Sequence, residues 1–235
     1  MEIPLFLAVS PEEMAVCINT ARNIAWMGCH FSKSEQGQII LPENLPKNSF
    51  LIVEDSVPIP EHNTSQIASQ LHRFAQAFHC KGVLLDFQRP VQYWAKQIVR
   101  ELLHTLPCPV GVSEPYAHGL NCPVFLPPIP PTSLPEDSFR PWQGREIWLD
   151  ISYSPMQILI TSNGSTTRSV PLQEYHLPHL ENRLFCHYGI RTENHQVVFD
   201  LKRTATDISA LLKKCATYGV TYAFGLYQEL GDDFH

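Results

Sequence analysis

The segment KGVLLDFQRP, residues 81–90, ends an apolar run in side chains that can do chemistry. The carboxyl group of Asp86 can accept or donate a proton, whereas the amide of Gln88 offers a donor and an acceptor but no titratable proton. Side chains alternate between the two faces of a strand, so Leu84, Asp86 and Gln88 are expected on one face. The segment therefore predicts a buried strand whose polar end opens onto a binding or catalytic site.

Acidic, amide and aromatic side chains also follow the other segments that we predict to be strands. In a parallel barrel the functional face lies at the carboxyl ends of the strands. Carboxylates and amides bind hydroxyl groups, and aromatic rings cover the apolar face of a sugar, so such a rim suits a carbohydrate. Polar loop ends exposed to solvent are the alternative interpretation. The rim candidates are Glu54, Asp55, Glu114, Tyr116, His187, Tyr188, Tyr227, Gln228 and Glu229.

The order of the apolar segments predicts an α/β fold. Short apolar runs alternate with segments of helical period, which is the pattern of βαβ units and a parallel sheet. We predict a compact, partly degenerate (β/α)8 TIM barrel, with an open doubly wound sheet as the alternative. The sequence lacks the glycine-rich motifs of nucleotide-binding sheets, which favours the barrel. The predicted barrel strands begin at residues 3, 49, 82, 110, 124, 184 and 222, and a weak eighth covers residues 29–32.

Two further patterns bear on the organisation of the chain. Residues 145–172 alternate with a period of two and contain an Asn-Gly turn, which predicts an antiparallel β insertion late in the chain. We expect this insertion to lie within a single TIM-barrel-like domain of residues 1–235. Near the N-terminus, apolar side chains at helical spacing, Ile18 and Ala21 among them, predict a first helix over residues 10–28.

The stretch GVLLDFQRP resembles the fourth-strand signature of the family-18 glycoside hydrolases, the chitinase-like (β/α)8 barrels, whose pattern is DGxDxDxE. The glycine of this pattern falls on Gly82 and its third aspartate on Asp86. The first and second aspartates fall on Lys81 and Leu84, so neither is present. The catalytic glutamate falls on Gln88. The resemblance therefore implies a barrel whose motif has lost its proton donor.

The resemblance also implies a function. Members of the family hydrolyse N-acetylglucosamine-containing glycans with assistance from the substrate: the glutamate protonates the leaving oxygen, and the neighbouring aspartate orients the acetamido group. Gln88 cannot donate that proton, and general acid–base catalysis typically contributes about 10²–10⁴-fold in rate. We expect a barrel that binds a small amino-sugar-containing oligosaccharide with lost or weak hydrolysis. Residues 222–231 are similar to the last strand of the family, which makes Tyr227 the candidate for an aromatic floor.

Two alternatives remain open from the sequence. An active glycoside hydrolase could use other rim carboxylates, with Asp86 and Glu114 as the catalytic pair and the remaining rim acids in reserve. A non-catalytic protein-interaction scaffold is the other alternative. It draws on the proline-rich residues 127–135 and on the edge strands of the predicted insertion, which could pair with a partner.

Composition and charge exclude several classes of function. The chain has 17 Lys and Arg against 23 Asp and Glu, a net charge of −6, and no basic cluster. No nucleic-acid or anionic-membrane partner is therefore expected. The N-terminal segment lacks the features of a signal peptide, and no apolar run is long enough to span a membrane. The seven cysteines include no CxxC pair and the eleven histidines no HExxH, so we expect no metal and no cofactor. Most cysteines lie in apolar contexts and are expected to be reduced, which together with the N-terminal segment predicts a cytoplasmic location.

Overall fold

The computed structural model describes residues 2–17, 23–32, 38–59, 63–171, 177–194 and 196–234 of the chain. Its strands are β1 (Leu5–Val9), β2 (Ile24–Phe31), β3 (Ile39–Ile40), β4 (Phe50–Glu54), β5 (Gly82–Asp86), β6 (Val110–Ser113), β7 (Val124–Leu126), β8 (Ile147–Ile151), β9 (Met156–Thr161), β10 (Gly164–Ser169), β11 (His179–Glu181), β12 (Cys186–Glu193), β13 (Gln196–Lys202) and β14 (Val220–Leu226). Its α-helices are α1 (Met14–Cys17), α2 (Thr64–Ala77), α3 (Tyr93–Thr105), α4 (Glu114–Ala117), α5 (Pro135–Phe139), α6 (Ala205–Cys215) and α7 (Tyr227–Leu230).

Parallel strands from the described residues close into an eight-stranded barrel. Around the ring, β1 pairs with β2, β2 with β4 and β4 with β5, and the pairing continues through β6, β7, β8 and β14 back to β1. The predicted (β/α)8 barrel is confirmed. It is compact and partly degenerate because α4 and α5 are only 4 and 5 residues long. β5, which contains the VLLD sequence, is the fourth barrel strand along the chain.

The second barrel strand differs from the prediction. The helix predicted over residues 10–28 is wrong in its last part, which belongs to β2; Ile18 and Ala21 lie outside the described residues. β2 pairs with β1 on one side and with β4 on the other, and these two ladders override the local helical spacing. The weak strand predicted over residues 29–32 is the end of this longer strand.

The seventh barrel strand differs as well. The sequence predicts a barrel strand over residues 184–188 and an insertion over residues 145–172. The structure instead places β8 in the barrel, between β7 and β14, and β12 in a second sheet. Ile147, Trp148 and Leu149 are all buried, as a strand covered on both faces requires, whereas the second half of β12 is exposed. The predicted insertion boundaries are therefore wrong: the antiparallel sheet begins with β9 and ends with β13.

The inserted sheet lies between β8 and β14 in the chain. Its strands are antiparallel in the order β10-β9-β13-β12-β11, which confirms an antiparallel β insertion late in the chain. A buried polar pair lies at its centre, where the amide of Gln157 donates to the carboxylate of Asp200 at 2.7 Å. Arg168 donates to the side-chain oxygen of Gln157 at 2.7 Å, and Arg191 donates to Asp200 at 2.8 Å. The buried amide and carboxylate thus have the partners that burial demands.

Aromatic side chains fill the interior of the barrel. The ring of Phe50 lies at their centre, with its centroid 4.7 Å from that of Phe6. The rings of Trp148 and Phe224 lie 5.1 and 5.0 Å from it, and all three contacts are edge to face, the arrangement that aromatic quadrupoles favour. The indole N–H of Trp148 donates to Glu146 at 3.0 Å. Because this interior is packed, a ligand has to bind at an end of the barrel.

Two glycines make room for these rings. A Cβ atom at Gly82 would lie 2.4 Å from Cε1 of Phe50, and one at Gly111 would lie 2.1 Å from Cε3 of Trp148. Both separations are well inside van der Waals contact in a close-packed interior. The glycine that begins the VLLD strand is therefore required by packing against an aromatic ring.

Gly111→Ala is expected to lower the free energy of unfolding by about 1–3 kcal/mol, the usual cost of overpacking a core. Urea denaturation of the two proteins measures the difference. Adding Trp148→Leu removes the ring that the new methyl group meets, so the double variant should lose less stability than the sum of the single changes. Strictly additive losses would contradict the contact between these two positions.

Candidate functional site

Titratable side chains line the C-terminal mouth of the barrel, above the aromatic interior. Glu54 at the end of β4 and Asp86 at the end of β5 are register partners, and His30 of β2 is in register with Glu54 on its other side. Asp150 follows Trp148 by two residues on β8, so it faces the interior as that ring does. All four polar side chains are half-buried. The mouth is thus an acidic site with one imidazole.

β5 has the alternation that its sequence predicts. Leu84 packs with the aromatic interior, whereas Val83 and Leu85 belong to the outer core between strands and helices. Asp86 shares the inner face, and the side-chain amide of the exposed Gln88 donates a hydrogen bond to the Asp86 carboxylate. A carboxylate and an amide therefore stand side by side at the mouth, with the amide nearer to solvent.

Asp55 holds the loop that carries Gln88. One carboxylate oxygen of Asp55 accepts the backbone N–H of Gln88 at 2.8 Å, and the other accepts the backbone N–H of Arg89 at 2.9 Å. The Arg89 guanidinium donates in return to the backbone carbonyls of Asp55 at 2.6 Å and Ser56 at 2.9 Å. Asp55 is only 3% exposed. Its predicted role as a ligand-binding residue is therefore wrong: the carboxylate is occupied by backbone amides and positions Gln88.

Tyr116 contacts the same loop from α4. Its ring is 1% exposed and meets the ring of Phe87 edge to face at 5.5 Å. Its hydroxyl group donates to the carbonyls of Arg89 at 3.4 Å and Pro90 at 3.3 Å. A buried ring cannot stack on a ligand, so the prediction that Tyr116 belongs to the rim is wrong.

Burial and neighbouring charge raise the affinity of Glu54 and Asp86 for protons. Burial raises the pKa of Glu54 and the charge of Asp86 raises it further, while His30 acts in the opposite direction. Burial also raises the pKa of Asp86; the hydrogen bond from Gln88 opposes this shift and the charge of Asp55 adds to it. Both carboxyl groups therefore stay protonated to a higher pH than exposed acids do.

Asp150 is the site residue that the sequence interpretation missed. Burial raises its pKa to about 7, with smaller contributions from Asp86 and Glu229, although the backbone N–H of Ile151 donates to its carboxylate at 2.9 Å. The residue was hidden because its segment looked like part of the insertion. The signal was present: IWLD, like VLLD, is an apolar run that ends in an aspartate.

The C-terminal candidates lie around the last barrel strand. Glu229 accepts hydrogen bonds from the hydroxyl of Ser152 at 2.9 Å and the backbone N–H of Tyr153 at 2.5 Å, so it braces the loop after β8. Tyr227 begins α7 and packs against the outer core. By alternation along β14, the exposed Leu226 has the inward position instead. The prediction of Tyr227 as an aromatic floor is therefore wrong.

The two further candidates are Tyr188 and Glu114. Tyr188 belongs to β12 of the inserted sheet, where its ring lies 5.1 Å from that of His179. Its predicted place on the barrel rim is wrong because the segment is not a barrel strand. Glu114 is the half-buried first residue of α4, directly after β6. The charge of Asp86 raises the pKa values of Glu54 and Asp150.

Searches for metal sites and membrane spans cover the same described segments. Within them, no set of three or more His, Cys, Asp or Glu side chains is arranged to hold a metal ion. No helix in this part of the chain combines the length and the apolar character needed to cross a membrane.

Neither a family model nor a curated protein matches the sequence. Solved structures do match its fold. The chitinase-like agglutinin RobpsCRA from Robinia pseudoacacia has a TM-score of 0.61 at 10% identity, over 95% of this chain and 94% of that one. The chain has the fold of the chitinase-like barrels.

Two other structures share this fold. A glutamate-to-glutamine mutant of the class V chitinase from Nicotiana tobaccum, in complex with NAG4, has a TM-score of 0.59 at 10% identity, over 96% of this chain and 93% of that one. The Bacillus cereus spore cortex-lytic enzyme SleL has a TM-score of 0.58 at 9% identity, over 96% of this chain and 71% of that one. At these identities the likeness concerns the fold, and function has to be argued from the site.

Asp55→Asn is expected to destabilise the protein by about 1–3 kcal/mol, because one of the two backbone N–H groups would face an amide donor in place of a carboxylate oxygen. Glu54→Gln is the matched control, since Glu54 is next to Asp55 in the sequence but its side chain points into the mouth. Chemical denaturation of both variants gives the comparison. Equal losses at the two positions would argue against the anchoring role of Asp55.

Asp150→Asn is expected to change how stability depends on pH. The pKa of Asp150 is about 7 in the folded protein, above its ordinary value of 3.8, so the folded state holds this proton more tightly. The resulting stabilisation is complete below about pH 4 and is lost as the pH rises through about 7. Unfolding free energies between pH 4 and 8 should therefore show wild type losing stability relative to Asp150→Asn. A difference that stays constant with pH would refute the raised pKa.

Proposed function

We propose that this protein binds an amino-sugar-containing oligosaccharide at the mouth of its barrel and hydrolyses it weakly or not at all. One observation carries the proposal. Gln88 donates to Asp86 at the end of the fourth barrel strand, where the chitinase-like signature has its catalytic glutamate. The site therefore has the polar pair of such a barrel with an amide in place of the acid.

The amide explains the expected loss of catalysis. A general acid must carry a proton that it can release to the leaving oxygen, and a carboxamide has none. The neighbouring Asp86 already accepts the amide hydrogen bond of Gln88. In the family mechanism this aspartate orients the acetamido group of the substrate, a task that Asp86 can still perform without an acid beside it.

Binding is supported by what the site keeps. Gln88 is exposed and retains a donor and an acceptor at the reach of a glutamate side chain, and its loop is fixed by Asp55 and Arg89. A loop ordered before binding loses less entropy when a ligand arrives. Two proteins of the same fold support the proposal by analogy: one is an agglutinin, and the other is a glutamate-to-glutamine chitinase mutant in complex with NAG4.

Calorimetric titration with the N-acetylglucosamine tetramer tests binding. Wild type is expected to bind, and Asp86→Ala is expected to weaken binding at least about tenfold by removing a hydrogen-bonded carboxylate. Glu136→Gln is the matched control, because Glu136 lines a groove with Glu146 and Gly219 at the opposite end of the barrel. Absence of heat with wild type across tetramer and muropeptide fragments would end the proposal.

Gln88→Glu is expected to increase the rate of tetramer hydrolysis by about 10²–10⁴-fold, because it supplies the missing proton donor. Release of reducing ends from the tetramer measures the rate. Gln88→Leu, which has neither donor nor acid, should show no gain. If Gln88→Glu binds the tetramer as wild type does but cleaves it no faster, Gln88 does not occupy the position of the acid.

A second candidate function is an active hydrolase with a different proton donor. Asp150 favours it, because this half-buried carboxyl group keeps its proton near neutral pH and is coupled to Asp86. Asp150 would then be the acid, and Asp86 or Glu114 the partner carboxylate. A screen of aryl glycosides with Asp150→Asn and Glu114→Gln tests this candidate. Activity lost in Asp150→Asn supports it, an additional loss in Glu114→Gln assigns the partner role to Glu114, and no wild-type activity excludes it.

We also propose a reducing, cytoplasmic location. The free thiols of the described residues support it, because unpaired cysteines are typical of reducing compartments. Burial raises the pKa of six of these thiols and so keeps them protonated: Cys29, Cys80, Cys108, Cys122, Cys186 and Cys215.

A further inference from the structure

β10 is an exposed edge of the inserted sheet. It pairs with β9 on one side, and no strand of the described residues pairs with its other side. All 6 of its residues are exposed. The opposite edge strand, β11, has only 3 residues. A fully exposed edge of this length presents a row of unpaired backbone groups to any strand that approaches it.

The ladder between β9 and β10 shows which groups these are. The N–H of Val170 donates to the carbonyl of Pro155 at 3.1 Å, so these two residues form a hydrogen-bonded pair. Hydrogen-bonded and non-hydrogen-bonded pairs alternate along an antiparallel ladder. By this alternation from the Val170–Pro155 pair, the N–H and C=O groups of Ser165, Thr167 and Ser169 point away from β9.

This edge lacks the features that usually prevent strand pairing. Residues Gly164–Ser169 include no lysine, glutamate or proline, and their register with β9 is continuous, without a bulge. The single charge, on Arg168, is turned towards β9, where the guanidinium donates to Gln157 at 2.7 Å. The neighbouring strands also expose Ile160 and Val197, which are register partners and give this sheet an apolar surface.

We propose that two copies of this protein pair through β10, antiparallel, about a twofold axis at Thr167. Thr167 then lies opposite Thr167 of the second copy, and Ser165 lies opposite Ser169. All of these residues direct their backbone groups outwards, so each pair can exchange two hydrogen bonds. Arg168 lies opposite Thr166 of the second copy, so no like charges face each other across the axis. The Thr167 and Ser165–Ser169 pairs bring hydroxyl side chains together across the new strand pairing.

A second copy is the favoured occupant because the edge is complementary to itself. A twofold contact uses the same surface on both subunits, and β10 supplies both halves with matched donors and acceptors. Pairing of one short strand buries less area than a standard interface, so the dimer is expected to be weak and concentration-dependent. A foreign extended peptide is the competing occupant.

Charge reversal at the proposed axis tests this arrangement on the full-length protein. Light scattering coupled to size exclusion, over a range of concentrations, should show a twofold mass for wild type. Thr167→Lys and Thr167→Asp should each show the single-chain mass, because like charges would face each other across the axis. An equal mixture of the two variants should restore the twofold mass. Thermal unfolding should be unchanged, since the side chain is exposed.

Ser162→Lys is the matched control, because Ser162 lies in the exposed turn between β9 and β10 and outside the ladder, and it should remain dimeric. A wild type of single-chain mass at every concentration overturns the proposal. So do Thr167 variants that remain dimeric, which would place the contact elsewhere. Variants that are monomeric but do not recombine in the mixture overturn the axis at Thr167 and leave the edge to another occupant.

Discussion

A closed ring of parallel strands has to be filled from within, and this filling is the constraint on which the rest of the structure depends. Here aromatic rings centred on Phe50 and Trp148 occupy the interior. Gly82 and Gly111 have no Cβ atom, which leaves room for those rings. The consequence for function is direct. Among the described residues the interior cluster is apolar and aromatic, so the chemistry is confined to the last inward-facing residue of each strand.

That confinement explains the character of the mouth. Glu54, Asp86 and Asp150 are the inward residues at the ends of their strands, and each sits just above apolar or aromatic side chains. Partial burial there raises their pKa values, and the charge of Asp86 raises those of Glu54 and Asp150 further. The outward residues at the same height have a different task. Asp55 shows this, because it faces away from the mouth and positions the loop that carries Gln88.

The parts of the fold that the sequence predicts are those in which local pattern and tertiary environment agree. β5 is an apolar run between two helices, and its alternation, with Leu84 and Asp86 inward, is confirmed by the packing. β2 and β8 were assigned wrongly for different reasons. Small apolar residues at helical spacing made the start of β2 look like a helix. β8 directly precedes the inserted sheet in the chain, so the period-two pattern assigned β8 and the sheet to one insertion. Only pairing with distant strands resolves these segments, and such pairing is not encoded locally.

The site was predictable to the same extent. Glu54 and Asp86 could be placed because they end strands that were identified correctly. Tyr116 was misplaced because it belongs to the short helix α4 after β6, where its ring packs into the outer core against Phe87. Asp150 was missed together with its strand. The inference about Gln88 depends least on these errors, since it needs only β5 and its alternation.

The central claim is that a sugar binds beside Gln88 and is cleaved there weakly or not at all. An NMR titration with the N-acetylglucosamine tetramer observes both at once, through the side-chain amide signals of Gln88 and the anomeric protons of the ligand. The account predicts that the Gln88 amide signals shift in a saturable way while the anomeric signals remain those of the intact tetramer. Unmoved Gln88 signals at saturating ligand, or rapid and complete conversion of the tetramer to shorter products by the wild-type protein, would contradict it.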